Sequence, residues 1–114
     1  MKKTFGQVLR EMRRAKGVSQ RELAKKVSVD FSYISKLEND RTQPPAADTI
    51  VKICNVLDVS PDELLTLTGK MPSDIKEMFN SKPEAMKFIR TAKSLDLTEH
   101  EWKELTNKLR NLRS

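Results

Sequence analysis

Residues 19–41 read "SQRELAKKVSVDFSYISKLENDR". Their spacing predicts two short helices joined by about three residues. Leu23, Ala24 and Val27 share one face of the first helix, and Ile34 and Leu37 share one face of the second. Those faces belong to a core. Phe31, Ser32, Ser35, Lys36 and Asn39 are then left on the other face of the second helix, with no core to enter. A phenylalanine, a lysine and several small hydrogen-bonding residues on one free helix face ask for a partner.

Charge points to the class of partner. The 114-residue chain carries a net charge of +6. Residues 1–41 hold eleven Lys+Arg against five Asp+Glu, and residues 42–114 hold eleven of each. The whole excess lies on the part that carries the opening stretch, which suits a polyanion. A well-solvated surface would account for the charge alone equally well.

Working outward, the text stays helical. Phe5, Val8, Leu9 and Met12 follow an i, i+3, i+4, i+7 stripe that stops near Gly17, with Arg13, Arg14 and Lys16 in the last turn. Ser19-Gln-Arg-Glu22 is a capping box, and Val18 can staple against Leu23. The same signature recurs at Ser60-Pro-Asp-Glu63, with Pro61 in the first helical position, at Ser81-Lys-Pro-Glu84 and at Thr98-Glu-His-Glu101. Between Asn39 and Ala46 the chain turns to loop, and Pro44-Pro45 cannot continue a helix. A fourth helix places Ile50, Ile53, Cys54 and Leu57 on one face. A short fifth runs from Pro61 to about Leu67. Thr68-Gly-Lys-Met-Pro72 is the best boundary, which divides the chain into residues 1–69 and 70–114.

Helices are expected over Asp74–Phe79, Pro83–Ser94 and Glu99 to about Arg113. In the last, Trp102, Leu105, Leu109 and Leu112 recur at spacings of 3, 4 and 3, an a/d stripe two heptads long. Residues 73–114 are too few to hold an independent core, so they must pack on the first domain, on a second copy or on another protein.

Enzyme chemistry is poorly supplied. His100 is the only histidine and stands beside acids in a helix's first turn. One Cys and one His cannot make a tetrahedral metal site. Gly6, Gly17 and Gly69 are isolated, so no phosphate loop exists. No cofactor is implied. Cys54, in an apolar pattern, reads as a buried structural thiol. No apolar run approaches the ~18 residues of a membrane span, and no secretory signal follows Met1. The expected compartment is the cytoplasm, with no membrane partner.

A duplex major groove admits one α-helix and shows base edges as donors, acceptors and thymine methyls. A reading helix needs one face in the core and one bearing hydrogen-bonders, a cation and some apolar contact. The second helix offers Ser32, Ser35 and Asn39 with Lys36 and Phe31. The helix before it carries Gln20 and Arg21 near its N-terminus, where free backbone N–H groups favour a phosphate. A helical hairpin with a polar outside is the plainer reading. Order, cap, junction and charge location agree instead on the duplex.

The stretch "SQRELAKKVSVDFSYISKLENDRTQPPAADTIVKICNVLDVSPDELL" resembles the Cro/phage-repressor type helix-turn-helix, the XRE family. Gln20, Leu23, Ala24, Val27, Ile34, Leu37, Glu38 and Asn39 sit where that family's motif places them. The resemblance covers about residues 4–68. It implies an all-α fold: a five-helix lambda-repressor-like DNA-binding domain followed by a small helical C-terminal dimerisation segment. It further implies that Gln20 contacts the DNA backbone and a base. Phe31, Ser32 and Lys36 would occupy base-reading positions, flanked by Tyr33 and Ser35, with Asn39 and Arg41 on phosphates. Arg13 and Glu38 match a pair that is an internal ion pair in some members. Ser28 and Asp40 stand where members often carry glycine. Ala46 stands where some carry an arginine that enters the minor groove. Phe31 replaces a polar reader and would suit a thymine methyl or a protein partner.

The function expected is a sequence-specific transcriptional regulator, a homodimeric repressor of a palindromic duplex operator. The tail's layout also looks like that of repressors inactivated by a partner metalloprotease, so a protein antagonist or protease acting on residues 70–114 is a further expected partner. The rival class is a protein-interaction adaptor whose Trp102, Leu105, Leu109 and Leu112 bind a different protein's helix.

Overall fold

In the computed structural model, residues 2–114 are described, and every regular element among them is helical. The order is α1 (Phe5–Ala15), α2 (Gln20–Val27), α3 (Phe31–Glu38), α4 (Ala47–Val56), α5 (Asp62–Thr68), α6 (Ser73–Ser81), α7 (Pro83–Leu95) and α8 (Glu99–Asn111). The chain forms two compact units, one ending at Ile75 and the other spanning Lys76–Ser114, so α6 starts in the first and ends in the second.

Local capping decides where the helices begin. Ser19 caps α2 and Thr98 caps α8, each in a reciprocal box with the Glu three residues on. A third box, Thr4 with Gln7, starts α1: the Gln7 N–H donates to the Thr4 hydroxyl at 3.1 Å, and the Thr4 N–H donates to Gln7 Oε1 at 2.9 Å. The boxes expected at Ser60 and Ser81 do not close. At the first, α5 begins one residue later than the pattern suggests, and the Ser60 hydroxyl accepts from Asp62 N–H at 3.2 Å. At the second, Ser81 still belongs to α6 and its hydroxyl donates to the Met78 carbonyl. Pro83 drives Lys82 into extended backbone, φ −133°, ψ 95°, and that alone separates α6 from α7.

The core of the first unit is drawn from the apolar positions that the periodicity isolates, with Met12 of the α1 stripe only half-buried at its edge. Leu9, Leu23, Ile34, Leu37, Ile50, Ile53, Leu57 and Leu64 are all fully buried, with Phe5, Val8, Ala24, Val27 and Cys54 beside them. Each large side chain contributes about 1.5–3 kcal/mol by leaving water. That burial holds α2 and α3, each eight residues long, as helices that would be marginal in isolation. Helix α3 packs on α1 and α2, so its remaining face is outward.

In the second unit α7 and α8 form a hairpin that turns at Asp96 in the left-handed region, φ 49°. Ala92 is buried, and Leu97 and Leu105 are half-buried. Phe88, Ala92, Leu95, Leu97 and Leu105 line a shallow apolar groove along the hairpin.

Candidate nucleic-acid interface

The turn between α2 and α3 is built by one residue in an unusual conformation. Ser28 adopts φ 61°, ψ 46°, and its N–H donates to the Lys25 carbonyl at 3.3 Å, while Val29 N–H reaches the Ala24 carbonyl at 2.9 Å. Asp40, just after α3, is likewise at φ 55°. Both are positions where glycine would enter the left-handed region without steric cost. Asp40 is held there by two donations, from Gly6 N–H at 2.9 Å and from the Thr4 hydroxyl at 2.5 Å. The end of α3 is thereby clamped to the start of α1. Gly6 is required by that approach: a Cβ there would sit 2.5 Å from the carbonyl oxygens of both Leu37 and Glu38.

Beneath the outward face lies a charged centre. Glu38 is 2% exposed, and its carboxylate accepts from Arg13 Nε at 2.5 Å, Arg13 Nη2 at 2.8 Å, Gln20 Nε2 at 3.0 Å and Arg10 Nε at 3.4 Å. Burial pushes the Glu38 carboxyl up, but the donations from Arg13, Gln20 and Arg10 outweigh it and hold the group below its ordinary range. Arg13, itself buried, is raised mainly by its hydrogen bonds to Glu38. Arg10 extends the network, donating to Asn39 Oδ1 at 2.8 Å, and Asn39 Nδ2 donates to the Ser35 carbonyl at 2.9 Å. Arg10 escaped the sequence reading. Its position three residues before Arg13 on α1 was the available signal.

Apart from Arg21, the structure separates the expected site residues into three groups. Phe31, Ser32 and Lys36 are exposed on α3, and Arg41 is exposed just beyond it. Their side chains make no hydrogen bond or ion pair among the described residues. Tyr33 and Ser35 are half-buried, and Tyr33 packs against the core. Gln20 and Asn39 are the third group: each has its amide nitrogen committed internally, to Glu38 and to the Ser35 carbonyl respectively. Arg21 also reaches α3, since its guanidinium lies over the Phe31 ring, 4.5 Å from the centroid.

On α8, Leu105 is half-buried and lines the hairpin groove. Trp102, Leu109 and Leu112 are 38%, 63% and 76% exposed, and Leu112 is the residue that caps the helix's C-terminus rather than one inside it. No helix among the described residues is long and apolar enough to cross a membrane.

The pattern of the family described as "Helix-turn-helix" matches residues 9–64. The chain is 31% identical to the HTH-type transcriptional regulator SinR of Bacillus subtilis (strain 168) over 100 residues, 88% of this chain and 86% of SinR. Among curated relatives the match spans between 48% and 92% of the relative's length. Among solved structures, SinR described as the master regulator for biofilm formation, in complex with DNA, superposes with a TM-score of 0.51 at 39% identity, over 54% of this chain and 98% of that one. The SinR protein/SinI protein complex superposes with a TM-score of 0.52 at 28% identity, over 94% and 95% of the two chains.

Proposed function

Because the chain belongs to the XRE-type helix-turn-helix family of transcriptional regulators, we propose that it is a cytoplasmic, homodimeric repressor of a palindromic operator. One observation carries the reading: α3 turns Phe31, Ser32 and Lys36 outward, beside Arg41, on the part of the chain that holds the whole positive excess. Ser32 and Lys36 would meet base edges and Arg41 a phosphate. Gln20 and Asn39 then help to hold α3, each donating one amide N–H internally and keeping the other for the duplex. Residues 1–69 would serve as the DNA-binding domain and 70–114 as the dimerisation segment. The exposed Trp102 and Leu109 on α8 and Leu112 at its C-terminal cap, with Leu105 in the adjoining groove, would bury against a second copy. Such a dimer places two reading helices one duplex turn apart, about 34–36 Å.

A second reading rests on the same residues. A relative matched over nearly the whole chain has been solved with a protein partner, SinI. An antagonist protein or a protease acting on the α7–α8 hairpin would compete with dimerisation and release the operator.

Selection from a random duplex pool tests the first claim, and a palindrome should be enriched. On the selected site Lys36→Ala should cost about 1–3 kcal/mol and relax one base preference. Arg41→Ala should weaken all sequences alike and lower the salt slope by about one. Unchanged affinity in Lys36→Ala would refute the placement of α3. Sedimentation tests the second claim. A chain that stays monomeric at tens of micromolar, and binds one half-site as well as the palindrome, would refute the dimer.

A further inference from the structure

We propose that Arg21 and Phe31 act together as one reader of a methylated pyrimidine–guanine step, 5′-TG-3′ or 5′-(5-methyl-C)G-3′. The inference rests on the reading of α3 as the major-groove helix. Phe31 is the first residue of α3 and 40% exposed, while Arg21 is the second residue of α2 and also exposed. Their contact at 4.5 Å joins the N-terminal ends of two different helices on the outward face. Arg21 makes no ion pair among the described residues, so its planar fork stays available while the ring fixes its position.

Two chemistries are thus presented side by side. An arginine fork meets guanine O6 and N7 in bidentate fashion. A phenylalanine has no donor or acceptor, so the base feature it can favour is the pyrimidine C5-methyl. The guanidinium carbon stands 4.5 Å from the ring centroid, of the order of one ~3.4 Å step between successive bases of a strand. They therefore suit two adjacent bases rather than one. Thymine and 5-methylcytosine carry the same methyl at the same ring carbon. The pair would read both, and would distinguish methylated from unmethylated cytosine next to guanine.

The experiment uses the full chain and the duplex selected above, with the pyrimidine of each pyrimidine–guanine step changed in turn. Deoxyuridine in place of thymidine removes only the methyl, and 5-methylcytosine in place of cytosine adds only the methyl. At one step per half-site the methyl should change affinity about fourfold, which is the burial of one carbon at about 0.8 kcal/mol converted at 1.4 kcal/mol per tenfold. Phe31→Ala should abolish the methyl dependence. Arg21→Lys keeps the charge but loses the fork, so it should lose preference for the adjoining guanine while keeping its salt slope. Both side chains are exposed, so neither change touches the core. Absence of methyl dependence at every step overturns the proposal, as does its survival in Phe31→Ala or unchanged guanine preference in Arg21→Lys. A pool from which no duplex is enriched would overturn the DNA-binding reading itself, and this inference with it.

Discussion

Replacing Glu38 with alanine should cost the first unit about 3–5 kcal/mol. The size follows from what each former partner has left. Arg10 keeps Asn39 at 2.8 Å and has water available, its side chain being 32% exposed. Arg13 is 8% exposed and keeps only the Val18 carbonyl, at 2.9 Å from Nη1. The loss is that of a buried cation without its counter-charge, several times the ~0.2–1 kcal/mol of an exposed pair. Against a total of about 5–15 kcal/mol it is a large fraction. Urea unfolding followed at the methyl signals of Leu9 and Ile34 reads the first unit by itself, and the midpoint should fall at constant slope. The double variant Arg13→Met/Glu38→Leu replaces the pair with apolar groups and should come within about 1 kcal/mol of the parent. Acid provides an independent arm. The Glu38 carboxyl is held below its ordinary value of 4.5, so its contribution is complete above that pH and fades as pH falls through the lower folded value. Glu38→Ala should flatten that acid limb. A cost under about 1 kcal/mol, or a double variant as unstable as the single one, would refute the reasoning.

The two left-handed positions should respond oppositely to glycine. Ser28→Gly relieves strain with no side-chain bond to lose and should stabilise by about 1 kcal/mol, whereas Asp40→Gly also removes the bonds to Gly6 and Thr4 and should destabilise by about 1 kcal/mol; thermal midpoints moving in one direction for both would contradict this. Gly6→Ala should destabilise by about 2 kcal/mol or more, because the obstructing atoms are backbone carbonyls that cannot rotate away; calorimetry of the variant checks it. Burial pushes the Cys54 thiol up to about 11, so a thiol reagent at pH 8 should modify it only as the first unit unfolds. A modification rate independent of urea would show that the thiol is accessible in the folded chain.

Most of the first unit's core was legible because its helices are amphipathic with the ordinary period, and Leu9, Leu23, Ile34, Ile50 and Leu57 fall inside as the spacing requires. Thr4-x-x-Gln7 carries the same cap signature as Ser19 and closes its box, while Ser60 and Ser81 carry it without closing one. The difference at Ser81 is physical: the preceding helix has not yet ended there. The outward position of Phe31, Ser32 and Lys36 was readable from the inward position of Ile34 and Leu37. The bond of Gln20 to Glu38 and that of Asn39 to Arg10 were not, because those partners lie 18 and 29 residues away, beyond any local pattern. The contact of Arg21 with Phe31 was hidden for the same reason. It depends on the angle at which the turn through Ser28 sets two helices.

The clamp between Asp40, Gly6 and Thr4 has a consequence for how such a protein can change its target. Residues 34, 37, 38 and 39 are spoken for by the interior, by Arg10 and Arg13, and by the start of α1. Residues 32 and 36 owe nothing to the frame that carries them. Frame and lettering are therefore separable. A lineage could replace the side chains at these two places and acquire a new operator while its folding free energy stayed put. Exchanging the eight residues of α3 as a block would fail wherever the incoming segment lacked a Glu38 to meet Arg13.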